Sequence, residues 1–291
     1  MYFKNRLILK IASITRKRKL YKLDWILRKI YNPEKRKSNY IDAAVLLNNR
    51  LLMRLNTSSY LEWYIFFYGI YEPMISRLIN FVLKPGGVAI DVGANIGAHS
   101  LVMGQQVGRS GKVYCFEPHP QIIERLIENI SLNGMDYIIP IKLGLANNSG
   151  VATLFGFDGK DSNQGTSTLV KTETTPIDGP KFEVKTITLD EFSKKERLER
   201  LDLLKIDVEG GEIGVLLGGL ETIQKLKPFI IFEYNSSRDP DKKVFSHISN
   251  LFKDFKYRLY IINHNLLIDL DKVDQFSKEF NLLAVPLRHL N

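Results

Sequence analysis

The sequence of 291 residues predicts an α/β fold in which helices cover both faces of a mostly parallel, twisted sheet. Three observations support this prediction. From Leu83 onwards, short apolar runs alternate with segments of helical periodicity, as is typical of parallel strands joined by crossover helices. A turn rich in glycine directly follows the first apolar run. Four of the runs end in an acidic residue, which places polar groups at one edge of the predicted sheet.

The predicted elements follow one another in a regular order. The apolar runs predict strands at residues 88–91, 113–116, 138–145, 202–207, 228–233, 258–262 and 282–286. Helices are expected near 97–107 and 121–133, between the fourth strand and about Gln224, and at the start of the tail from 244. Pro118 and Pro120 mark the start of the second of these helices.

Two regions fall outside the alternating pattern and define the predicted domain organisation. Residues 1–80 predict a basic, helical N-terminal extension, and residues 81–291 predict the domain that contains the sheet. Short alternating runs at 151–157 and 182–188 flank a stretch rich in Gly, Ser, Thr and Pro. We therefore expect an inserted loop or hairpin at about 151–186.

The positive charge is concentrated in the N-terminal extension. Residues 1–40 contain 13 Lys and Arg residues against two acidic ones, so the remainder of this protein of net charge +9 is slightly acidic. The segment has an apolar stripe at helical spacing, formed by Leu20, Leu23, Leu27 and Ile30. Three interpretations stay open: a cap packed on the body, a helix at an anionic membrane or glycolipid surface, or a nucleic-acid binding segment.

A second helical region is expected at residues 42–80. It contains a dense group of aromatic side chains, which we interpret as a packed interface rather than a binding site for a cofactor. The rings are those of Trp63, Tyr64, Phe66, Phe67, Tyr68 and Tyr71.

The composition excludes several classes of protein. No stretch approaches the roughly 20 uncharged apolar residues of a membrane span, and the charged N-terminal run lacks the cleavage site of a secretory signal. We expect a cytoplasmic protein, with a peripheral membrane location as the alternative that the basic segment allows. The single cysteine, Cys115, excludes internal disulfides and a zinc site built from cysteines.

Acidic side chains close four of the predicted strands. In an open parallel sheet, ligands bind beyond the carboxyl ends of the strands, and a buried carboxylate is costly unless it has partners. These side chains therefore indicate a polar binding site. They are Asp91, Glu117, Asp207 with Glu209, and Glu233 with Asn235.

The turn after the first strand indicates an adenine nucleoside that carries positive charge. Gly93 and Gly97 allow close approach of the backbone to a ligand, and Glu117 stands 26 residues after Asp91, where an acid can accept both hydroxyls of a ribose. The loop lacks the G-x-G-x-x-G spacing typical of dinucleotide sites, and Asp91 would repel a pyrophosphate. S-adenosylmethionine, with its sulfonium and amino groups, satisfies these conditions.

Four segments together resemble the FkbM-type methyltransferases that depend on S-adenosylmethionine. They are Asp91-Val-Gly-Ala-Asn-Ile-Gly-Ala-His-Ser100, Gly111-Lys-Val-Tyr-Cys-Phe-Glu-Pro-His-Pro120, Leu204-Lys-Ile-Asp-Val-Glu-Gly210 and Lys227-Pro-Phe-Ile-Ile-Phe-Glu233. The resemblance covers residues 86–235 and departs from the family at Gly211, where Ala is frequent. It implies a class I methyltransferase fold of Rossmann-like type and O-methylation of a hydroxyl on a sugar, glycan or natural product.

The resemblance also assigns the residues around the cofactor. Asp91, Gly93, Ala94, Asn95 and Gly97 would hold the methionine end of S-adenosylmethionine. Glu117 would bind the ribose, with Pro118 and His119 near the adenine. Asn147, after the third strand, is a candidate for the adenine amine.

Three acids are candidates for the general base that activates an acceptor hydroxyl: Asp207, Glu209 and Glu233, with His99 as a more distant fourth. We interpret Lys205 as the residue that neutralises the neighbouring acids. An alternative is that Asp207, Glu233 and Asn235 hold a divalent cation, since all three offer hard oxygen ligands.

Two other functions are weighed against a sugar or glycan O-methyltransferase. One is a nucleic-acid (RNA) methyltransferase that binds through the basic segment, and the other is a non-catalytic protein that binds an adenosyl ligand. Asp207-Val-Glu-Gly stands where amino-directed DNA methyltransferases carry an Asn/Asp-Pro-Pro-aromatic turn, and Cys115 lies inside a strand. The sequence leaves the acceptor, the methylated position and the oligomeric state open.

Overall fold

The computed structural model describes residues 2–18, 24–32, 41–48, 50–156, 167–170, 179–236, 239, 241, 243–263, 266–273 and 278–290. The strands are β1 (Asp42–Leu47), β2 (Leu51–Asn56), β3 (Val88–Val92), β4 (Lys112–Phe116), β5 (Ile138–Ile141), β6 (Gly144–Leu145), β7 (Gly150–Phe155), β8 (Lys181–Ile187), β9 (Leu203–Ile206), β10 (Phe229–Asn235), β11 (Tyr257–Ile262), β12 (Leu267–Asp269) and β13 (Glu279–Pro286). The helices are α1 (Tyr2–Arg18), α2 (Asp24–Ile30), α3 (Tyr60–Tyr68), α4 (Pro73–Val82), α5 (Ala98–Val107), α6 (Pro120–Leu132), α7 (Leu189–Lys195), α8 (Glu212–Leu217), α9 (Leu220–Leu226) and α10 (Lys243–Asp254).

An eight-stranded sheet with the order β12-β11-β13-β10-β9-β3-β4-β5 forms the centre of the fold. Strands β3, β4, β5, β9 and β10 are parallel, and β13 is antiparallel to both of its neighbours. Alternate residues of a strand enter opposite hydrophobic clusters: Leu203 joins the one packed with α5 and α6, and Leu204 the one packed with α7 to α10. The predicted α/β fold with helices on both faces is therefore confirmed.

The helical prediction for the N-terminal extension is wrong over residues 42–56. Strands β1 and β2 pair there as an antiparallel hairpin, and helix resumes only at Tyr60. Burial alternates along the hairpin, with Leu51, Met53 and Leu55 inside, and Asn48 occupies a left-handed backbone conformation in the turn (φ 52°). The leucines of this stretch also recur at helical spacing, so the sequence pattern alone does not distinguish a helix from a strand. Tertiary packing selects the strands.

The described part of the basic segment packs on the body. Ile8 and Ala12 of α1 and Leu27 of α2 are buried in the same hydrophobic cluster as α5 and α6, whereas Ile30 is exposed and Leu20 and Leu23 lie outside the described residues. The Thr15 hydroxyl donates to the carbonyl oxygen of Phe67 at 2.6 Å. Rings of the aromatic group predicted to pack are buried around these contacts: Trp63, Phe66, Phe67 and Tyr68.

Side-chain amides and an ion pair join the hairpin to helix α6. Asn129 Oδ1 accepts a hydrogen bond from the backbone N–H of Arg54 at 2.8 Å, and Asn133 Oδ1 accepts one from Leu52 at 2.9 Å. Arg125 lies 2.5 Å from the carboxylate of Glu62, which is 1% exposed. These contacts cover the open edge of β2 and fix the N-terminal elements against the sheet domain.

The strands expected on either side of the insertion are present as β7 and β8. They pair antiparallel, and β6 pairs parallel to β8 to complete a small three-stranded sheet. Most of the stretch between residues 158 and 180 lies outside the described residues. None of the described helices has the length and apolar content that crossing a bilayer requires.

Replacement of Arg125 by Met is expected to lower the free energy of unfolding by about 3–5 kcal/mol, because it leaves the Glu62 carboxylate buried without its partner. Denaturant unfolding at neutral pH measures the change. The double variant Arg125→Met with Glu62→Gln should recover a large part of the loss. An equal loss in both variants would show that the packing of the arginine stem, rather than the ion pair, is responsible.

Candidate active site

The site lies where the strand order of the sheet reverses. The chain leaves β3 towards β4 and β5 on one side, and leaves β9 towards β10 on the other, so a cleft opens at the carboxyl ends of β3 and β9. A cavity of about 220 Å³ occupies this position. Its polar lining comes from Ser59, Tyr60, Tyr71, Asp91, Asn95, His99, Glu117, Ser167, Lys205, Asp207 and Glu209.

The glycine loop after β3 is shaped by its contact with β9. Gly93 has φ 75°, and a Cβ at this position would lie only 1.9 Å from the carbonyl oxygen of Asp207. A residue with a side chain therefore cannot be accommodated without moving the end of β9. This close approach holds the loop and the strand-end acid together at the floor of the cavity.

The backbone amides of this loop are already engaged within the protein. The N–H groups of Gly93 and Ala94 both donate to the carbonyl oxygen of Phe116, and that of Asn95 donates to Glu117 Oε2, each at 3.0 Å. A pyrophosphate site needs such amides free for the ligand. The geometry therefore supports the prediction that this loop does not bind a dinucleotide.

Glu117 closes β4 and faces the cavity from the other side of the loop. Its Oε1 accepts a hydrogen bond from the His119 N–H at 2.9 Å, in addition to the bond from Asn95. Burial raises the pKa of this carboxyl to about 7, with Asp91 adding to the increase and the two backbone bonds opposing it. The carboxyl is thus held rigidly at the cavity wall.

Lys205 lies between two carboxylates at the carboxyl end of β9. Its Nζ is 3.5 Å from Asp91 Oδ1 and 3.1 Å from Asp207 Oδ2. Burial opposes the charged form of Lys205, but the surrounding carboxylates outweigh it and raise the pKa of the ammonium. Ser100 donates to Asp91 Oδ2 at 2.7 Å, whereas Oδ1 of this buried acid has no hydrogen-bond donor in the described part of the chain.

The structure brings together eight of the predicted site residues around the cavity: Asp91, Gly93, Ala94, Asn95, Glu117, Pro118, Asp207 and Glu209. Three further residues predicted to bind the cofactor do not line the cavity in the described part of the chain. Gly97 is the N-cap of α5 with φ 93°, and the imidazole of His119 caps α6 by accepting from the N–H of Gln121 at 3.2 Å. Asn147 lies against Gly214 of α8.

Glu233 also lies outside the described lining of the cavity. It hydrogen-bonds with Glu279 of the neighbouring strand β13, and burial together with this acid raises the pKa of Glu233 to about 9. The Glu233–Glu279 pair therefore shares a proton at neutral pH. Among the described residues, no group of three or more His, Cys, Asp and Glu side chains is arranged to bind a metal ion.

The cavity also contains residues of the N-terminal extension that the sequence reasoning did not assign to a site: Ser59, Tyr60, Leu61 and Tyr71. His99, the fourth candidate for the general base, reaches the cavity from α5. The aromatic cluster was the one sequence feature near these positions, and it indicated packing. Their place in the cavity depends on how the extension docks on the sheet.

Comparison with known proteins decides the family. The FkbM methyltransferase domain matches residues 91–259, which is more than half of the chain. The chain belongs to the FkbM methyltransferase family. The glycine loop, Glu117 and the Asp207 segment of this FkbM protein all fall within the matched region.

Two curated relatives are similar to this FkbM protein over a little more than half of its length. The hexuronic acid methyltransferase AglP of Haloferax volcanii is 30% identical over 169 residues, which cover 58% of this chain and 64% of AglP. The 2-O-methyltransferase NoeI of Sinorhizobium fredii is 28% identical over 182 residues, covering 57% of this chain and 73% of NoeI. The aligned part thus spans less than two thirds of AglP.

A solved structure of an FkbM methyltransferase from Methylobacillus flagellatus is also similar to this chain. It has 14% sequence identity and a TM-score of 0.44, and the superposition covers 72% of this chain and 50% of that one.

The free energy of unfolding of the ligand-free protein is expected to contain a pH-dependent contribution from Glu117. Because folding raises the pKa of this carboxyl from 4.5 to about 7, its ionisation destabilises the fold progressively as pH rises between these values. The contribution is about 3 kcal/mol, from 1.36 kcal/mol per pKa unit. Denaturant unfolding at pH 4.5, 6, 7 and 8 should show a flatter profile for Glu117→Gln than for the wild type.

The slope of that profile is the informative quantity, because the Gln amide loses one of the two accepted hydrogen bonds at every pH. Glu124→Gln, at an exposed position on α6, is the matched control and should keep the wild-type slope. Parallel profiles for wild type and Glu117→Gln would contradict the predicted contribution.

Proposed function

We propose that this protein transfers the methyl group of S-adenosylmethionine to a hydroxyl of a sugar or glycan. The observation that carries the proposal is the meeting of the glycine loop, Glu117 and the strand-end acids around one cavity at the reversal of strand order. Membership in the FkbM family and the names of the relatives AglP and NoeI support it.

The residues present fit the charge and shape of this cofactor. Asp91 Oδ1 is buried without a hydrogen-bond donor in the described part of the chain, so it can receive the amino group of the methionine end. Gly93, Ala94 and Asn95 leave room beside it, and Gly97 lets the chain turn into α5. S-adenosylmethionine supplies an activated methyl group when bound.

Glu117 is the proposed partner of the ribose hydroxyls, since its carboxylate is fixed at the cavity wall by two backbone bonds. Pro118 provides an apolar surface for the adenine. His119 and Asn147, behind the wall, are proposed to support this end of the site: His119 by capping α6, and Asn147 by packing on α8.

The acceptor is proposed to bind on the side of the cavity formed by Asp207 and Glu209. Both follow β9, and Glu209 is held in a left-handed backbone conformation (φ 54°). Carboxylates at this position accept hydrogen bonds from the hydroxyls of a sugar and orient it for the transfer, and such positioning supplies much of the rate in these reactions. Glu233, which shares a proton with Glu279, is proposed to support this acidic side of the site.

The names of the relatives favour a sugar as the acceptor. AglP is described as a hexuronic acid methyltransferase and NoeI as a 2-O-methyltransferase. A cytosine carbon-5 reaction would need a nucleophilic thiol, whereas Cys115 is buried in β4 and burial raises the pKa of its thiol well above the usual value. A sugar hydroxyl is therefore preferred to a nucleic-acid base.

Incubation with tritiated S-adenosylmethionine is expected to label sugar acceptors, because the acids at the acceptor side bind hydroxyl groups. The panel contains nucleotide-sugars, cell-surface glycans and RNA, each with and without magnesium. Labelled sugars identify the acceptor after separation by chromatography. Labelling of RNA alone would favour the nucleic-acid alternative, and dependence on magnesium would revive the cation-assisted alternative.

Calorimetric titration with S-adenosylhomocysteine provides the control for this assay. Glu117→Gln should bind at least about tenfold more weakly than the wild type, because a ribose hydroxyl is left without its acceptor. Glu124→Gln, at an exposed position, should bind normally. Failure of the wild-type protein to bind at millimolar ligand would contradict the proposed function.

For the domain organisation, we propose residues 81–291, with the insertion at about 151–186, as the methyltransferase domain. The N-terminal extension, residues 1–80, would complete its acceptor side, because Tyr60 and Tyr71 of the extension line the cavity. The basic charge of the extension is proposed to hold the enzyme near an anionic membrane or glycolipid. Trp25 of α2 is 61% exposed, and Lys29 Nζ lies 5.0 Å from the centre of its ring.

Sedimentation with vesicles tests the proposed membrane contact. The protein should bind vesicles that contain phosphatidylglycerol more strongly than pure phosphatidylcholine vesicles, and added salt should weaken the binding. Substitution of both Trp25 and Lys29 by Ala should reduce the bound fraction, whereas the control Glu124→Gln should not. Equal binding to both lipids would contradict the proposal.

A further inference from the structure

Glu72 follows Tyr71, a residue of the cavity lining, and lies outside the part of the chain that matches the FkbM family. It stands at the N-cap of α4 with φ 38° and ψ 74°, a left-handed conformation that is unfavourable for a residue with a Cβ. The Glu72 side chain makes no capping hydrogen bond to the helix. Its Oε2 lies instead 3.6 Å from His99 Nε2.

His99 offers a buried polar atom to the same place. The residue is 4% exposed and lines the cavity, and its Nε2 has no hydrogen-bond partner in the described part of the chain. Its ring lies 5.3 Å from that of Tyr71, measured between centroids, so the imidazole is fixed by packing. Burial and then the charge of Lys205 lower the pKa of His99 well below its ordinary value, so the ring is neutral.

An unpartnered buried nitrogen and a left-handed Glu both destabilise the protein, and such features persist where a site requires them. Because the facing atoms are 3.6 Å apart, one hydroxyl group beside the pair can hydrogen-bond with both the carboxylate and the imidazole.

We propose that Glu72 and His99 form the subsite that binds the acceptor hydroxyl and removes its proton, with Glu72 as the general base and His99 as a hydrogen-bonding partner. This inference rests on the proposed O-methyltransferase function. It assigns the base to the N-terminal extension rather than to the strand-end acids of the sheet domain.

The proposed transfer conserves atoms and charge. The acceptor oxygen forms a bond to the methyl carbon while its O–H proton passes to the Glu72 carboxylate. The bond between that carbon and the cofactor sulfur breaks, and its electron pair remains on sulfur as a neutral thioether. The side chain of Glu72 is 33% exposed, which gives the proton a route to solvent.

The other acids of the site are less suited to accept this proton. Asp207 Oδ2 is engaged by Lys205 at 3.1 Å, and Glu233 shares a proton with Glu279. Burial and then Asp207 raise the pKa of Glu72 to about 7, with Lys205 opposing and Asp91 adding to the increase. A base is most effective when its pKa is close to the working pH.

The charged and titratable groups that face Glu72 come from several elements: Tyr71 on its own segment, His99 of α5, Asp91 of β3, and Lys205 and Asp207 at the end of β9. Tyr71 and His99 are neutral at pH 6–8, because burial raises the pKa of the phenol and lowers that of the imidazole. Glu117, whose pKa is also about 7, is proposed to contact the ribose, so its titration should affect binding of the cofactor. The pH dependence of kcat at saturating cofactor is therefore assigned to Glu72.

The test compares Glu72→Gln with the wild type and with the control Glu124→Gln on the sugar acceptors that the wild type labels. Glu72→Gln should lower kcat about 100-fold or more while changing the affinity for S-adenosylhomocysteine less than threefold. The wild-type kcat should rise with pH through a midpoint near 7 as Glu72 loses its proton, and Glu72→Gln should lose this rise. His99→Asn should raise KM for the acceptor and keep the midpoint.

A second measurement does not depend on turnover. Carbon-13 NMR of protein labelled at the Glu side-chain carboxyls should show two resonances that titrate near pH 7, one absent from Glu72→Gln and the other absent from Glu117→Gln. If Glu72→Gln does not fold, the proposal is tested by the wild-type titration and by Glu72→Asp, in which the side chain is one methylene shorter. Glu72→Asp should then show a kcat reduced more than tenfold.

The outcomes separate this inference from the proposed function. The assignment of Glu72 is overturned, and the proposed function stands, if the wild type transfers methyl groups and Glu72→Gln keeps kcat within threefold with an unchanged pH profile. The same criterion applies to Glu72→Asp where it replaces Glu72→Gln. If the wild type binds no S-adenosylhomocysteine, both are overturned.

Discussion

The buried ammonium of Lys205, placed between Asp91 and Asp207, is the interaction on which the arrangement of the site depends. A lone charge at this depth would cost several kcal/mol, so the two carboxylates are required by the fold as well as by any ligand. The two ion pairs, together with the parallel pairing of β3 and β9, hold the ends of these strands side by side. The glycine loop that follows β3 is then placed directly over the carbonyl of Asp207.

The acids around the cavity differ in their distance from this ammonium. Asp91 and Asp207 face it directly, whereas Glu117, which is buried, and Glu72, which is one-third exposed, have no cation in contact among the described residues. The pKa values of Glu72 and Glu117 are raised to about 7. Glu233 shares a hydrogen bond with a second carboxyl and titrates higher still. One fold thereby holds carboxyl groups with several different proton affinities within a single cleft.

Much of the sheet domain could be predicted from the sequence, because buried parallel strands are continuous apolar runs. The loop between β3 and α5 was also recognisable, because few residues other than glycine can occupy position 93. The strand-end residues Asp91, Glu117 and Asp207 followed from the same reasoning. The capping of α6 by the His119 side chain was not predicted, and the place of His119 near the adenine stays a prediction. Glu72 and Tyr71 gave no local signal, because their position depends on how the N-terminal extension docks against α5 and α6.

The absence of a side chain at Gly93 has a consequence for how this protein can change over evolution. Because a Cβ at this position would come within 1.9 Å of the Asp207 carbonyl oxygen, the glycine loop and the end of β9 cannot diverge separately. Any lineage that altered one would have to alter the other in the same step. The extension that carries Tyr60, Tyr71 and Glu72 has its own restraint, since an exchanged extension would have to keep the partners of Arg125, Asn129 and Asn133 on α6.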